Sequence, residues 1–345
     1  MKSYKLISVI LCVCLTSCVF AGCSDKNFST PPESEQPENY SLAKGVNLSA
    51  LEDRFKPDAF LDKKKTYTDI ADKGFDHIRL PVDFRNYCNP DGIITAAFYK
   101  RLDKIIKMAN DAGLVIILDF HGWYNFNVLS GDDKLFLNIW QDLAKHYMGY
   151  PNTLMFELIN EPHTTEGGDL DMSNLMDLQN KALKQIREID KERTVIIAAP
   201  EWNGPWTLKD LTVPDYDNIM VAIHTYEPLD FTHQGQAWMN TTNVKLPLTN
   251  EMLNGLTEQL KLITEFTERT GCKVILNEFG LTTTGHISDE DVNRYLSHIV
   301  KYTERHNIPW TYWCYSGSFG VYESGLLGIG GNWRQNVLDA LIPEK

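Results

Sequence analysis

From residue 43 onward, short continuous apolar runs alternate with longer stretches in which apolar residues recur every three or four positions. The runs cover 44–48, 77–80, 115–119, 154–159, 195–198, 219–224, 274–277 and 310–313. Most are β-branched or aliphatic throughout, the pattern of strands covered on both faces. Between them, Phe98, Leu102, Ile105, Ile106 and Ala109 keep helical spacing. Leu175, Leu178, Ala182, Ile186 and Ile189 do the same, as do Val292, Tyr295, Leu296 and Ile299. Eight strands alternating with helices in one domain predict an α/β fold, a (β/α)8 TIM barrel. An open doubly wound sheet is the competing reading. It needs a phosphate loop after the first strand, and Lys44-Gly45-Val46-Asn47-Leu48-Ser49-Ala50 offers none. The glycine-rich stretch 325–331 follows the last strand and reads as a plain loop.

The first 40 residues break this pattern. A basic start, Met1 to Lys5, precedes an apolar segment too short to span a membrane, so residues 1–22 read as a lipoprotein-type signal peptide. Phe20-Ala21-Gly22-Cys23 resembles a lipobox with Cys23 as the lipidated residue. Leu15-Thr16-Ser17-Cys18 is the alternative, and secretory cleavage without lipid is a third reading. Residues 23–40 are rich in Ser, Pro, Glu and Asn and are expected to form a disordered tether, leaving 41–345 as the folded domain. The expectation is an exported protein, at the cell surface or facing the periplasm if lipidated and otherwise secreted. Membrane contact is expected through that anchor alone. Four of the seven cysteines lie at or before Cys23. Cys88, Cys272 and Cys314 have no metal-like spacing and predict no disulfide framework.

The net charge of −13 argues against a nucleic-acid partner, whose phosphates require a basic face. It is compatible with a neutral polysaccharide. Aromatic residues make up 11% of the chain, with eight tryptophans, enough for a core and for sugar-stacking faces besides.

In barrels of this type the working groups sit where strands end. Those ends carry Arg79, His121, Asn160 with Glu161, His224 with Tyr226, Glu278, and Trp313. Singly, each has a structural explanation. Arg79 can pair with Glu157, either histidine can be a satisfied core residue, and Tyr226 and Trp313 can be packing. Together at one rim they point to a site. Two carboxyl groups can split a glycosidic bond by double displacement, one attacking the anomeric carbon and the other supplying a proton. The attacking carboxylate needs donors to stay ionised, and Arg79 and Tyr226 are suitable. The acid needs a raised pKa, which His224 can tune. Asn160 can hold a sugar hydroxyl, and Trp313 offers a flat face.

The set Ile78-Arg79-Leu80-Pro81, His121-Gly122-Trp123, Phe156-Glu157-Leu158-Ile159-Asn160-Glu161-Pro162, His224-Thr225-Tyr226, Asn277-Glu278-Phe279-Gly280 and Tyr312-Trp313 resembles glycoside hydrolase family 5, in chain order over nearly the whole domain. The resemblance implies a catalytic domain over 41–345 and a retaining mechanism on β-linked polysaccharide, most often β-1,4-glucan, without a cofactor. It implies Glu161 as acid/base and Glu278 as nucleophile, supported by Arg79, His121, Asn160, His224, Tyr226 and Trp313. Phe231-Thr232-His233-Gln234-Gly235-Gln236-Ala237-Trp238 and Ser318-Phe319-Gly320-Val321-Tyr322 resemble a bacterial endoglucanase branch, some of whose members also cut mannan or mixed-linkage glucan. Two departures bear on sugar contacts. Asn47-Leu48-Ser49-Ala50-Leu51-Glu52 is one residue shorter than the branch pattern, and Gly122 stands where the branch has a second histidine.

Trp123, Trp202, Trp206 and Trp238 are candidate stacking platforms, with Trp202 and Trp238 favoured as loop residues after strand ends. No metal site is expected, since Glu161 and His163 lack a third ligand at useful spacing. No separate carbohydrate-binding domain is expected either. The alternatives are a mannanase or xyloglucanase on the same fold, a non-catalytic surface glycan-binding lipoprotein, and a solute-binding protein. The glycan-binding reading is disfavoured because both carboxylates are present, and the solute-binding reading because no hinge linker is visible.

Overall fold

The computed structural model describes residues 41–122, 133–163, 172–284, 287–325 and 330–343. The expected signal peptide, Cys18, Cys23, the tether and Trp123 lie outside these residues.

Eight strands form a closed parallel barrel: β1 (Lys44–Asn47), β2 (His77–Val82), β3 (Val115–Phe120), β4 (Leu154–Glu157), β5 (Val195–Ala198), β6 (Ile219–His224), β7 (Lys273–Phe279) and β8 (Trp310–Tyr312). β8 closes the ring on β1, with Gly45 opposite Thr311. Helices Lys64–Asp72, Ala96–Asp111, Asp133–His146, Met172–Ile189, Asn250–Thr270, Asp289–Arg305 and Gln335–Leu341 follow strands β1 to β4 and β6 to β8. Several starts are written locally. Thr95, Thr249 and Ser288 each accept a hydrogen bond from the backbone N–H three residues on. Gly271, at φ 71°, closes Asn250–Thr270 in the left-handed conformation that glycine adopts without strain. Between β5 and β6 the expected helix is absent; two short turns, Pro200–Asn203 and Pro205–Thr207, replace it.

Strand alternation sorts the core into two layers. Ile78, Leu80, Ile116, Leu118, Phe156 and Leu276 face outward and are buried under the helices. Val115, Ile117, Met155, Ile196, Met220, Ala222 and Ile275 pack together as a separate cluster inside the barrel. Burying each of the Val, Leu, Ile, Phe and Met side chains among these contributes about 1.5–3 kcal/mol. Above this apolar plug the same inward parity continues into Arg79, Asp119, Glu157 and His224, all buried. The sequence positions of the plug therefore dictate which polar residues reach the mouth.

Some boundaries differ from the sequence pattern. Strand β4 ends at Glu157, not Ile159; Leu158 and Asn160 still donate backbone N–H groups to Ile196 O and Phe120 O at 2.9 and 3.0 Å, so Asn160 and Glu161 lie beyond the strand but remain tied to its neighbours. β7 runs on through Glu278 to Phe279. Its register against β6 slips by one residue: Ile223 faces Leu276, but His224 faces Glu278. Cys88, Cys272 and Cys314 are free thiols.

Candidate active site

Arg79 organises the mouth of the barrel. Its side chain is fully buried. Nε and Nη2 donate to the two oxygens of Glu157 at 2.7 and 2.8 Å. Nη2 also reaches Asn160 Oδ1 at 2.8 Å and Asp119 Oδ2 at 2.9 Å. Nη1 donates to Asn47 Oδ1 at 3.0 Å and to Glu278 Oε1 at 2.6 Å. Burial works against its charge, yet the three carboxylates Asp119, Glu157 and Glu278 raise its pKa above the usual arginine value. One guanidinium does not neutralise three buried acids. Burial accordingly pushes Asp119 and Glu157 each up to about 7, with Arg79 opposing the shift.

The slip in β7 brings Glu278 into this cluster. Regular alternation would turn Glu278 outward once Asn277 faced in, whereas here both point inward. Asn277 Nδ2 donates to Glu157 Oε2 at 2.7 Å while Glu278 bonds Arg79. Tyr226 donates its hydroxyl to the other Glu278 oxygen at 2.9 Å.

Glu161 arrives by a different route. It sits at φ 39°, a left-handed conformation unusual for a residue before proline, and its side chain is partly buried. Oε1 lies 2.8 Å from His224 Nδ1. A carboxylate oxygen of Glu161, one of Glu278 and a ring nitrogen of His224 lie within 4.8 Å of one another. Burial raises the pKa of both carboxyls. Glu278 has Arg79 and Tyr226 as donors against that trend, and among the described residues Glu161 has His224. At this spacing the pair holds one proton far more readily than none. Burial lowers His224 to about 3, so the imidazole between them is neutral.

The family model for cellulase (glycosyl hydrolase family 5) matches residues 38–318. The chain belongs to glycosyl hydrolase family 5. Endoglucanase 3 of Fibrobacter succinogenes is 27% identical over 352 aligned residues, which cover 86% of this chain and 53% of that protein, so this chain matches about half of its length. Endoglucanase C of Acetivibrio thermocellus is 28% identical, covering 82% of this chain and 94% of its own. The cellulose synthase subunit Z of Clostridioides difficile superimposes with a TM-score of 0.79 at 30% identity, covering 88% of this chain and all of that one.

In this family 5 barrel a cleft of about 470 Å³ opens over the carboxyl pair, lined among others by His121, Glu161, His224, Tyr226, Glu278 and Trp313. Of the residues read from sequence, Arg79 and Asn160 stand beneath this surface. Asn160 has both ends of its amide engaged, Oδ1 with Arg79 and Nδ2 with His121 Nε2 at 3.3 Å. His121 in turn directs Nδ1 at Asp119 Oδ2, 2.8 Å away. Trp313 stacks against His121 with centroids 5.8 Å apart. Trp202, Trp206 and Trp238 all line the cleft and are 45%, 44% and 66% exposed. Trp202 stacks one face on His163 at 3.4 Å.

Sequence reading missed Asp119, Asn47, Asn277 and Asn203. For Asp119 the signal was present: Val115, Ile117, Asp119 and His121 share one strand parity, so an inward acid was legible. The shortened segment after β1 also carries polar chemistry. Glu52 accepts from Ser49 and from Lys56 (2.6 Å), and Lys56 Nζ lies 6.0 Å from the Trp313 ring centroid.

Proposed function

We propose that this glycoside hydrolase is an endo-acting β-1,4-glucanase working by double displacement with retention of configuration. The carrying observation is the carboxyl pair within 4.8 Å across the cleft floor, one member held by Arg79 and Tyr226 and the other by His224. That spacing agrees with the roughly 5–5.5 Å of retaining enzymes and leaves no room for the water of an inverting one. Glu278 attacks the anomeric carbon as the nucleophile. Glu161 gives its proton to the glycosidic oxygen as the bond breaks, releasing the leaving chain and leaving a glycosyl ester on Glu278. Glu161, now ionised, takes a proton from water, which attacks the same carbon and frees Glu278. Trp313 and the exposed faces of Trp202, Trp206 and Trp238 supply stacking surfaces for pyranose rings along the cleft.

The glucan assignment draws on the names of relatives, endoglucanases from Fibrobacter and Acetivibrio. A mannan-cutting reading also has support, since Thermotoga maritima Cel5A, 30% identical, has been solved with cellobiose and with mannotriose. Export, with Cys23 as the lipidated residue, belongs to the same proposal and rests on the leader-like residues 1–22. The deciding experiment is a panel of carboxymethylcellulose, lichenan, glucomannan and xyloglucan with product sizing, and NMR of the first products. Short β-1,4-gluco-oligosaccharides of retained configuration are expected. An inverted first product, or a preference for mannan over every glucan, would overturn the mechanism or the substrate respectively.

A further inference from the structure

The β5–β6 connection that replaces a helix has an unusual backbone. Glu201, Trp202 and Asn203 lie consecutively at φ 51°, 63° and 54°. Left-handed conformation is strained for residues other than glycine, tolerated best by Asn and Asp. The run is tied to the turn bearing Glu161: Trp202 donates its backbone N–H to Pro162 O at 3.4 Å and stacks on His163. The strained turn delivers Asn203, fully buried, to the rear of His224, with Nδ2 3.4 Å from His224 Nε2. Among the described residues, its Oδ1 is buried without a hydrogen-bond partner. An amide serving its own loop would use that oxygen; among the described residues this one bonds the imidazole alone.

Resting on the acid/base reading of Glu161, we propose that Asn203 is a positioning residue that fixes the tautomer of His224 and thereby keeps the Glu161 proton on the oxygen free to meet the leaving group. A neutral imidazole has one donor and one acceptor nitrogen. With Asn203 donating to Nε2, the ring proton sits on Nδ1 and is donated to Glu161 Oε1. Oε1 is then an acceptor, so the transferable proton resides on Oε2. In the other tautomer Nδ1 becomes an acceptor and draws the Glu161 proton inward. The rotated amide would bury an unpaired NH2, which is worse than an unpaired carbonyl oxygen. The same device recurs in Asn160–His121–Asp119, where Arg79 fixes the amide orientation. Charged and titratable groups around His224 are Glu161 from the β4 turn, Glu278 from β7, Arg79 from β2 and His121 just past the end of β3. His224 is nevertheless neutral through burial, as this role requires.

Asn203→Gly removes the amide and suits the left-handed backbone. Asn203→Asp reverses the bond by accepting from Nε2–H. Each is assayed on a cello-oligosaccharide, whose leaving group needs a proton, and on a dinitrophenyl β-cellobioside, whose leaving group does not. Asn203→Gly is expected to lose about tenfold in kcat/KM on the oligosaccharide, a fraction of a general acid's usual contribution, and little on the aryl glycoside. Asn203→Asp is expected to lose at least as much and to shift the basic limb of the pH profile. Equal losses on both substrates, or none, would overturn the proposal. Glu161→Ala run in parallel separates the levels. Leaving-group dependence in Glu161→Ala but not in Asn203→Gly sinks this inference alone. Its absence in Glu161→Ala sinks the acid assignment as well.

Discussion

Replacing Arg79 by methionine keeps much of the side chain's length and removes its charge and all its donors. In the native site that guanidinium bonds Glu157 twice, Asp119, Glu278, Asn47 and Asn160 at 2.6–3.0 Å. Among the described residues, the variant leaves Asp119, Glu157 and Glu278 buried with no arginine or lysine paired to them. Removing one partner of a buried ion pair costs about 3–5 kcal/mol, against a total stability of about 5–15 kcal/mol. For a domain of about 300 residues that lowers Tm by roughly 5–8 °C. The carboxyls can escape by holding protons, which makes the loss depend on pH. Asp119 and Glu157 already titrate at about 7 in the native state, and without Arg79 both rise further. A carboxyl whose folded pKa exceeds its unfolded value of about 4 stabilises fully below that value and loses the contribution as pH rises through the folded pKa. The gap between variant and wild type should therefore be small at about pH 5 and large at about pH 8. Thermal unfolding at both pH values measures it. The double variant with Glu157→Gln should recover part of the loss, since it removes one of the stranded charges. A gap that is the same at both pH values, or strictly additive single losses, would refute the account of Arg79 as the counter-charge of a buried acid cluster.

Glu278→Ala and Glu161→Ala should each abolish most turnover on polysaccharide while leaving the circular dichroism spectrum native. Gly280→Ala should destabilise the fold by about 1–3 kcal/mol and impair turnover, because its Cβ would lie 2.4 Å from the Trp313 backbone oxygen, which cannot swing aside; an unchanged Tm and kcat would contradict this. Trp238→Ala removes the most exposed of the aromatic faces lining the cleft and should raise KM for long oligosaccharides by about two- to tenfold, with Tm unchanged. Chelators should leave turnover intact, since Arg79 and Tyr226 already occupy Glu278 and His224 occupies Glu161; loss on chelation and recovery with a divalent cation would instead make Glu161, His224 and Glu278 a metal site.

Much of this protein was written locally. Largely apolar runs marked all eight strands, because a strand covered on both faces is mostly closed to polar residues, and the polar exceptions Arg79, Asp119, Glu157 and His224 are those that face the barrel mouth. The strand-end residues Arg79, Glu161, His224, Tyr226 and Glu278 followed from those runs, as did the pairing of Arg79 with Glu157. Other features needed the closed barrel. Whether Glu278 points inward depends on the one-residue slip of β7 against β6, a property of two strands 50 residues apart and not of either run. That Asn160 and Glu161 both reach the site depends on β4 ending at Glu157 and on φ 39° at Glu161. Asn203 carries no motif at all; its meeting with His224 is decided by a turn clamped against the Glu161 loop. Periodicity reports how each residue divides between water and core, which is an attribute of the residue and its near neighbours. Register, bulges and the meeting of separate loops are set only when ring closure forces distant segments to share the same few ångströms.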